Sequence, residues 1–194
     1  MAKADSGTSR RERNKTVRWV VTIFITTIFV SGTISLLSDA VMENSSIAVA
    51  FLILLAIVLV GIVFDVVGVA VTSADEKPFH SMAARKVPGA REAISLLRGA
   101  ERVSSICNDV VGDICGVVSG SASATIAAQI LRNFEFTIES IIPLAMSALV
   151  AGLTVGGKAI GKTFALRSCT KIVHGVGKTL WAFRNLPQLP QKRK

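Results

Sequence analysis

The chain has 194 residues, of which 51% are hydrophobic, and its formal net charge is +9 at pH 7. Its mean hydropathy of +0.56 is high for a soluble domain, and apolar stretches of about 20 residues or more indicate a polytopic membrane protein. The positive charge does not indicate nucleic-acid binding, because Lys and Arg lie in the termini and in one loop beside apolar stretches. The sequence has no CxxC, HExxH or GxSxG motif and no nucleophile–base constellation, so we do not expect an enzyme.

Four apolar stretches predict membrane-spanning helices, over residues 17–37, 47–73, 103–131 and 140–166. Residues 1–16 are polar and basic and are expected to be disordered. The linker 75–101 is expected to leave the membrane and to form an amphipathic helix on its surface. Residues 167–194 read as a basic, interfacial tail.

Most Lys and Arg residues lie in the N-terminus, the 75–102 loop and the C-terminus, whereas the other two loops contain mostly acids. The positive-inside rule therefore predicts that both termini are cytoplasmic. The predicted fold class is an all-α membrane protein with four transmembrane helices and juxtamembrane amphipathic helices. We expect a multi-pass protein of the bacterial plasma membrane, in contact with anionic lipid.

The third span is unusual because it carries two aspartates one helical turn apart. On a helical wheel of about 100° per residue, its small and polar residues share one stripe, formed by Ser105, Asp109, Gly112, Asp113, Gly116 and Gly120. Ionisable groups inside a span cost about 2.5–3.5 kcal/mol each, so they rarely lack a function. The stripe is therefore expected to face protein or a water-filled site, and its glycine spacing favours close helix packing.

Two further charges are expected at the same depth, Asp65 in the second span and Lys158 in the fourth. Helix rise places both, with Asp109 and Asp113, at about 9–15 Å from the cytoplasmic boundary.

Three interpretations of this charge cluster remain open. In the first, the three aspartates bind a divalent cation with help from neighbouring oxygens of Asn108, Ser105 and Thr72, since Mg²⁺ takes one or two carboxylates and keeps several waters. In the second, Lys158 neutralises an aspartate and the cluster is a structural ionic network. In the third, the acids relay protons.

Several stretches resemble the transmembrane domain of the CNNM/CorB family of magnesium transporters. They are Phe64–Phe79, the following amphipathic helix with Leu97–Ser105, Gly112-Asp113 beside the family's Gly-Asn-Asn signature, and Lys162-Thr163 beside its Pro-Lys-Thr run. The resemblance covers about 120 residues, roughly Ile47–Arg167, with one added span in front. It implies a homodimer and magnesium transport.

This sequence departs from the family at several of these positions. Asp65 and Gly68 stand where the family has a serine and a glutamate, and Lys158 stands where it has a glutamate. The CBS domains that usually follow the family's membrane domain are not found up to Lys194.

The first functional hypothesis is a divalent-cation (Mg²⁺-type) transporter, or a transporter-like protein, with an intramembrane acidic site. Its metal ligands would be Asp65, Asp109, Asp113, Asn108 and Ser105, with Lys158 as charge partner. The alternative is a non-transporting membrane scaffold or regulatory subunit in which Lys158 is paired permanently with the aspartates. Mg²⁺ is the only ion or cofactor expected, and the expected partners are a second copy, anionic lipid and a separate regulatory protein.

Overall fold

The structure of the chain, a computed structural model, describes residues 5–43, 45–133 and 140–185, without the side chains of residues 5–16 and 43. Every regular element in these ranges is a helix. In chain order the helices are α1 (Asp5–Glu43), α2 (Ile47–Ser73), α3 (Lys77–Ala84), α4 (Ala90–Arg98), α5 (Ala100–Ser105), α6 (Asp113–Asn133) and α7 (Ile141–Asn185). Between α5 and α6 the chain continues as a π-helical segment, Ile106–Gly112.

Within the described ranges, four helical stretches are long and apolar enough to cross a membrane: Val17–Met42, Ile47–Ser73, Ala100–Asn133 and Ile141–Asn185. This finding confirms the all-helical fold with four membrane-spanning candidates and is compatible with a multi-pass membrane protein. The third candidate joins α5, the π-helical segment and α6.

Helix α7 has 45 residues and a length of about 68 Å at 1.5 Å per residue, more than twice the roughly 30 Å hydrocarbon layer. It is kinked at Ser168, where φ is −125° and ψ is 21°. The residues expected to form a basic tail therefore continue α7 as far as Asn185, and residues 186–194 lie outside the described part.

Helix α1 corrects two expectations. It begins at Asp5, so residues 5–16 are helical and not disordered, and residues 1–4 lie outside the described part. It also continues to Glu43, although Ser38–Ser46 was expected to be a loop. The physical reason is that no proline interrupts this stretch, and its Arg and Lys residues have good helix propensity.

Helix α1 packs against the rest of the molecule through a polar seam. The half-buried residues of this seam recur about once per turn and are Thr27, Ser31, Ser35, Ser38 and Asp39. Asp39 accepts hydrogen bonds from Ser121 and Thr125 of α6 at 3.2 and 3.3 Å. Gln129 Nε2 donates to the carbonyl oxygen of Met42 at 2.7 Å. Small and hydroxyl-bearing residues thus form the helix interface, as is common in membranes.

Two apolar clusters form the core at opposite ends of the bundle. The α1-side cluster joins α1, α2, α6 and α7 through residues such as Met42, Leu54, Val58, Ile126 and Val150. The α4-side cluster joins α2, α3, α4 and α7 through residues such as Ala70, Val71, Phe79, Leu97 and Val173.

Helix α2 is the central element because it packs against α5, the π-helical segment, α6 and α7. Its approach to α7 depends on glycine. A Cβ atom at Gly157 would overlap Ile62 of α2, and one at Gly161 would lie 2.6 Å from Val66. Because these glycines have no side chains, the backbones of α2 and α7 come close together. The two helices therefore enclose the residues that lie between the two apolar clusters.

The linker between α2 and α5 folds back onto the protein. Phe79 of α3 and Ala93 of α4 are completely buried, and both belong to the α4-side cluster. Gly89, which has a φ of +84°, packs against Gly177 of α7, where a Cβ atom on either residue would overlap the other chain segment. Only glycine combines this backbone angle with so close an approach. The linker helix α4 is therefore docked on the part of α7 that follows the kink.

Candidate functional site

A layer of polar residues separates the two apolar clusters. It consists of Asp65 on α2, Asn108 in the π-helical segment, and Thr154 and Lys158 on α7, and we call it the polar layer. On α2, Asp65 lies between Val58 of the α1-side cluster and Ala70 of the α4-side cluster. The helices therefore carry this polar group into the interior of the bundle, between the two apolar clusters.

Asp65 and Lys158 form an ion pair across the α2–α7 interface. The Lys158 Nζ atom lies 3.9 Å from Asp65 Oδ1, and Asp65 is only 4% exposed. This distance is too long for a direct hydrogen bond, so the pair is held by charge. The second carboxylate oxygen of Asp65, Oδ2, is buried and has no hydrogen-bond partner in the described part of the chain.

Two other oxygen atoms of the polar layer are also buried without a partner among the described residues, Asn108 Oδ1 and Thr154 Oγ1. A buried polar atom without a partner costs about 1–3 kcal/mol, so such atoms call for an explanation by a bound ion, a water molecule or a functional role. Together with Asp65 Oδ2 these are three buried oxygen atoms on three different helical segments, and Thr154 lies one turn before Lys158, the ion-pair partner of Asp65. Such oxygen atoms are donors suited to a cation.

The position of Asn108 shows that its oxygen lies close to Asp65 along α2. A Cβ atom at Gly68 would overlap Asn108 Oδ1, so this oxygen lies directly against α2, one turn from Asp65. The amide nitrogen of Asn108 donates to Ser104 Oγ at 3.2 Å. The amide is thereby oriented with its oxygen towards α2 and its nitrogen towards its own helix.

The π-helical segment Ile106–Gly112 brings the third span into contact with both α2 and α7. It carries Asn108 at the α2 side, and a Cβ atom at Gly112 would lie 3.4 Å from Lys158 Nζ. π-Helical turns inside α-helices are rare and occur frequently at functional sites. Here the wider turn places a side-chain amide and a backbone surface beside the Asp65–Lys158 pair.

Asp109 and Asp113 lie outside the polar layer. Both are exposed on the surface of the single chain, and Ser105 Oγ donates to Asp109 Oδ2 at 2.8 Å. Gly116 and Gly120 have open space around them, whereas Ile114 and Val118 are buried. Within the single chain the two aspartates of this stripe therefore face outward, and the expectation that the stripe faces protein or a water-filled site stays a prediction. A π-helical turn contains an extra residue, which rotates the following helix by about 100° relative to a regular wheel.

Of the residues expected to bind metal, the structure brings Asp65 and Asn108 together with Lys158 and leaves Ser105, Asp109 and Asp113 outside the polar layer. Across the described ranges there is no group of three or more His, Cys, Asp or Glu side chains that could hold a metal ion. Thr72 is also outside, because its hydroxyl donates to carbonyl oxygens of its own helix. A cation in this layer would meet one carboxylate and neutral oxygens, a set that fits an ion which keeps several waters.

Thr154 was not recognised as a site residue from the sequence, although it lies one turn before Lys158 on the same face of α7. A threonine hydroxyl in a membrane helix commonly bonds to its own backbone, as Thr163 Oγ1 does with the carbonyl of Ala159 at 3.2 Å. Spacing alone therefore did not distinguish Thr154. The distinguishing feature is its burial without a partner among the described residues, which only the packing of α7 against its neighbours reveals.

Helix α7 also contains a sequence pattern that resembles a phosphate-binding loop but does not form one. Residues 156–163 read GGKAIGKT, which has the spacing of a phosphate-binding loop. Such a loop needs free backbone N–H groups at a turn between a strand and a helix. Here the whole stretch is regular helix within a membrane-spanning candidate, so its N–H groups are occupied by helical hydrogen bonds and do not form a phosphate cradle.

Asp65, Gly112 and Lys158, which lie in the stretches quoted for the resemblance to CNNM/CorB transporters, are found in or beside the polar layer. The resemblance itself remains a prediction based on the residues quoted for it. Comparison of the chain with protein-family models, with curated proteins and with solved structures found no match.

Proposed function

We propose that this chain is a transporter-like membrane protein that binds a divalent cation of the Mg²⁺ type in the polar layer. Asp65 supplies the carboxylate, Asn108 and Thr154 supply neutral oxygens, and Lys158 neutralises Asp65 when no cation is bound. The observation that carries the proposal is the group of three buried oxygen atoms without partners in the described chain, one of them on a buried carboxylate.

The electrostatics of the layer support an exchange between Lys158 and the cation. Lys158 holds its ammonium group at 3.9 Å from the carboxylate, close enough to neutralise Asp65 and too far for a direct hydrogen bond. A cation that binds Asp65 repels Lys158, whose long side chain is 24% exposed and can turn away towards a more polar region. Binding of the cation and release of Lys158 would then be coupled, and this coupling is a basis for a transport cycle.

Mg²⁺ flux into proteoliposomes, read with an internal magnesium dye, tests this proposal. We expect flux in the parent protein and only the level of empty liposomes in Asp65→Asn, because the amide keeps the shape of the side chain and removes its charge. The matched control is Asp39→Asn, which changes a carboxylate in another membrane helix, bonded to Ser121 and Thr125. That variant should keep its flux.

Two further arms make the same experiment decisive. Asp113→Asn asks whether the exposed acid of the third span lies on the pathway, as the sequence suggested, or outside it. A pH-sensitive dye in parallel liposomes detects protons and so tests the proton-relay alternative. Flux of Mg²⁺ that persists in Asp65→Asn would remove the polar layer from the pathway and contradict the proposal.

One observation favours the scaffold as a second candidate. Lys158 already lies beside Asp65, so the layer is close to neutral without any ion, and buried ion pairs in other proteins often serve conformational specificity. A scaffold predicts no flux in any variant, together with an unfolding temperature that does not respond to Mg²⁺. The cation-binding proposal predicts that Mg²⁺ raises the unfolding temperature of the parent and does not raise that of Asp65→Asn.

A further inference from the structure

A groove of about 880 Å³ lies between the turn before α4, α4 itself and the end of α7. It shares no residue with the polar layer and plays no part in the proposed cation site. Its charged and aromatic lining consists of Lys86, Arg91, Glu92, Trp181 and Arg184.

The shape of this groove follows from the docking of α4 on α7. Gly89 and Gly177 bring the two backbones into contact, and the Nε2 atom of His174 lies 3.3 Å from the carbonyl oxygen of Pro88. Ala93 of α4 and Val173 of α7 are both completely buried at this junction. The walls of the groove are therefore held by packing on both sides.

The groove is electropositive. Three cationic side chains, those of Lys86, Arg91 and Arg184, oppose the single carboxylate of Glu92. All three cationic residues are exposed, and none forms a salt bridge in the portions of the chain that the structure describes. Their N–H donors remain available to an anion, and guanidinium groups in particular match the oxygens of a phosphate.

The same groove has an apolar side that adjoins the membrane spans. Leu96, Val103 and Leu180 line it, and Val103 belongs to the first turns of the third membrane-spanning candidate. Trp181 is 38% exposed, and tryptophan is enriched at the level of lipid headgroups. Cations beside an apolar wall at this level match a molecule with a phosphate at one end and hydrocarbon at the other.

We propose that this groove binds an anionic phospholipid, with the phosphate between Arg91 and Arg184 and an acyl chain along Leu96 and Val103. Basic pockets between membrane helices commonly bind acidic lipid headgroups. The apolar wall favours a lipid over a soluble phosphate compound, which would leave the wall without a partner.

Trp181 provides a direct probe, because the chain contains only two tryptophans. In a Trp19→Phe protein, Trp181 is the single tryptophan and its fluorescence is quenched by a brominated acyl chain that lies against it. The full-length protein is reconstituted in phosphatidylcholine with a minor fraction of brominated lipid, either phosphatidylglycerol or phosphatidylcholine. We expect stronger quenching by brominated phosphatidylglycerol at equal fraction.

The charge variants decide whether the groove is responsible. Arg91→Ala with Arg184→Ala should weaken the preference for phosphatidylglycerol by about 30-fold, as expected for two cations at the membrane surface. The control Arg98→Ala with Lys171→Ala removes the same charge from exposed positions outside the groove and should keep the preference. Arg91→Lys with Arg184→Lys retains the charge and should restore most of it, which separates lost charge from misfolding.

Three results would overturn the proposal. One is equal quenching by the two brominated lipids in the parent protein. Another is an equal loss of preference in the control variant, which would show a diffuse effect of surface charge. The third is full relief of quenching by soluble glycerol phosphate, which would identify a soluble phosphate compound as the ligand.

Discussion

A carboxylate inside a hydrocarbon layer is stable only when a cation or several hydrogen-bond donors compensate its charge. For Asp65 the structure supplies one such group, Lys158 at 3.9 Å, and no hydrogen bond among the described residues. Asp39 shows the contrast, since two hydroxyl groups of α6 donate to it. The negative charge of Asp65 is therefore less well compensated than that of Asp39, and Asp65 is the carboxylate that can bind a ligand.

Replacement of Lys158 tests this difference at the residue scale. Lys158→Met removes the charge partner and leaves Asp65 buried, so we expect a loss of about 2–4 kcal/mol in the free energy of unfolding. The measurement is denaturant unfolding in detergent micelles, with and without Mg²⁺. If the layer binds cations, Mg²⁺ recovers part of the loss.

The control for this variant is Lys162→Met, one turn further along α7, where the lysine is exposed. It should unfold like the parent. The double variant Asp65→Asn with Lys158→Met should also regain stability, because no uncompensated charge remains. A single Lys158→Met protein as stable as the parent would show that the ion pair contributes nothing to folding.

At the scale of elements, the most informative feature is the π-helical segment. A regular wheel through the third span groups Asp109 with Gly112, whereas the structure buries Gly112 against Lys158 and exposes Asp109. No local property of the sequence Ile106–Gly112 predicts a π-helical turn. The turn accompanies contacts with two other helices, Asn108 with Gly68 and Gly112 with Lys158.

The docking of α4 on α7 is a second relation between elements and leads to a prediction. Gly177→Leu inserts a side chain where the carbonyl oxygen of Gly89 and the backbone of Ala93 already lie. We expect α4 to detach, so that trypsin cleaves the linker after the exposed residues Arg85 and Lys86 at least about tenfold faster, as local opening controls proteolysis.

The matched variant is Gly175→Leu, two residues away in the same helix, where a Cβ atom meets open space. It should be cleaved at the parental rate. Equal rates of cleavage in both variants would mean that the Gly89–Gly177 contact does not hold the linker in place.

At the scale of the whole molecule, one face of the bundle is poorly matched to lipid. Asp113 is exposed in the middle of the third membrane-spanning candidate, with Gly116 and Gly120 on the following turns. An acid facing lipid costs about 2.5–3.5 kcal/mol, and a second copy packed on the glycines would cover it. The homodimer expected from the sequence stays a prediction, now with a face assigned to it.

Substitution of these glycines tests that face. Gly116→Leu with Gly120→Leu should shift the purified protein from dimer to monomer, as measured by size-exclusion chromatography with light scattering. Gly152→Leu with Gly156→Leu alters glycines of α7 that also have open space around them and should leave the dimer intact. A parent protein that is monomeric in mild detergent, or a dimer unaffected by the first pair, would contradict the prediction.

The helices and the four membrane-spanning candidates follow from the amino-acid sequence, because hydropathy and the absence of breaking residues are properties of each segment alone. The sequence also identified Asp65 and Lys158 as charges at one depth, since depth follows from counting residues along a helix. The end of α1 at Glu43 was not predicted, because hydropathy falls at Ser38 while contacts of Asp39 with α6 accompany a continuing helix.

The packing of the helices against one another determines which polar groups meet. It joined Asp65 and Lys158 with Asn108 and Thr154, and it turned Asp109 and Asp113 to the outside of the single chain. The physical reason is that helix rotation is set by the close contacts of other helices, here at Gly68, Gly112, Gly157 and Gly161. A single-helix wheel contains no information on those neighbours, so it grouped Asp109 and Asp113 with Gly112, although the structure buries Gly112 and exposes both aspartates.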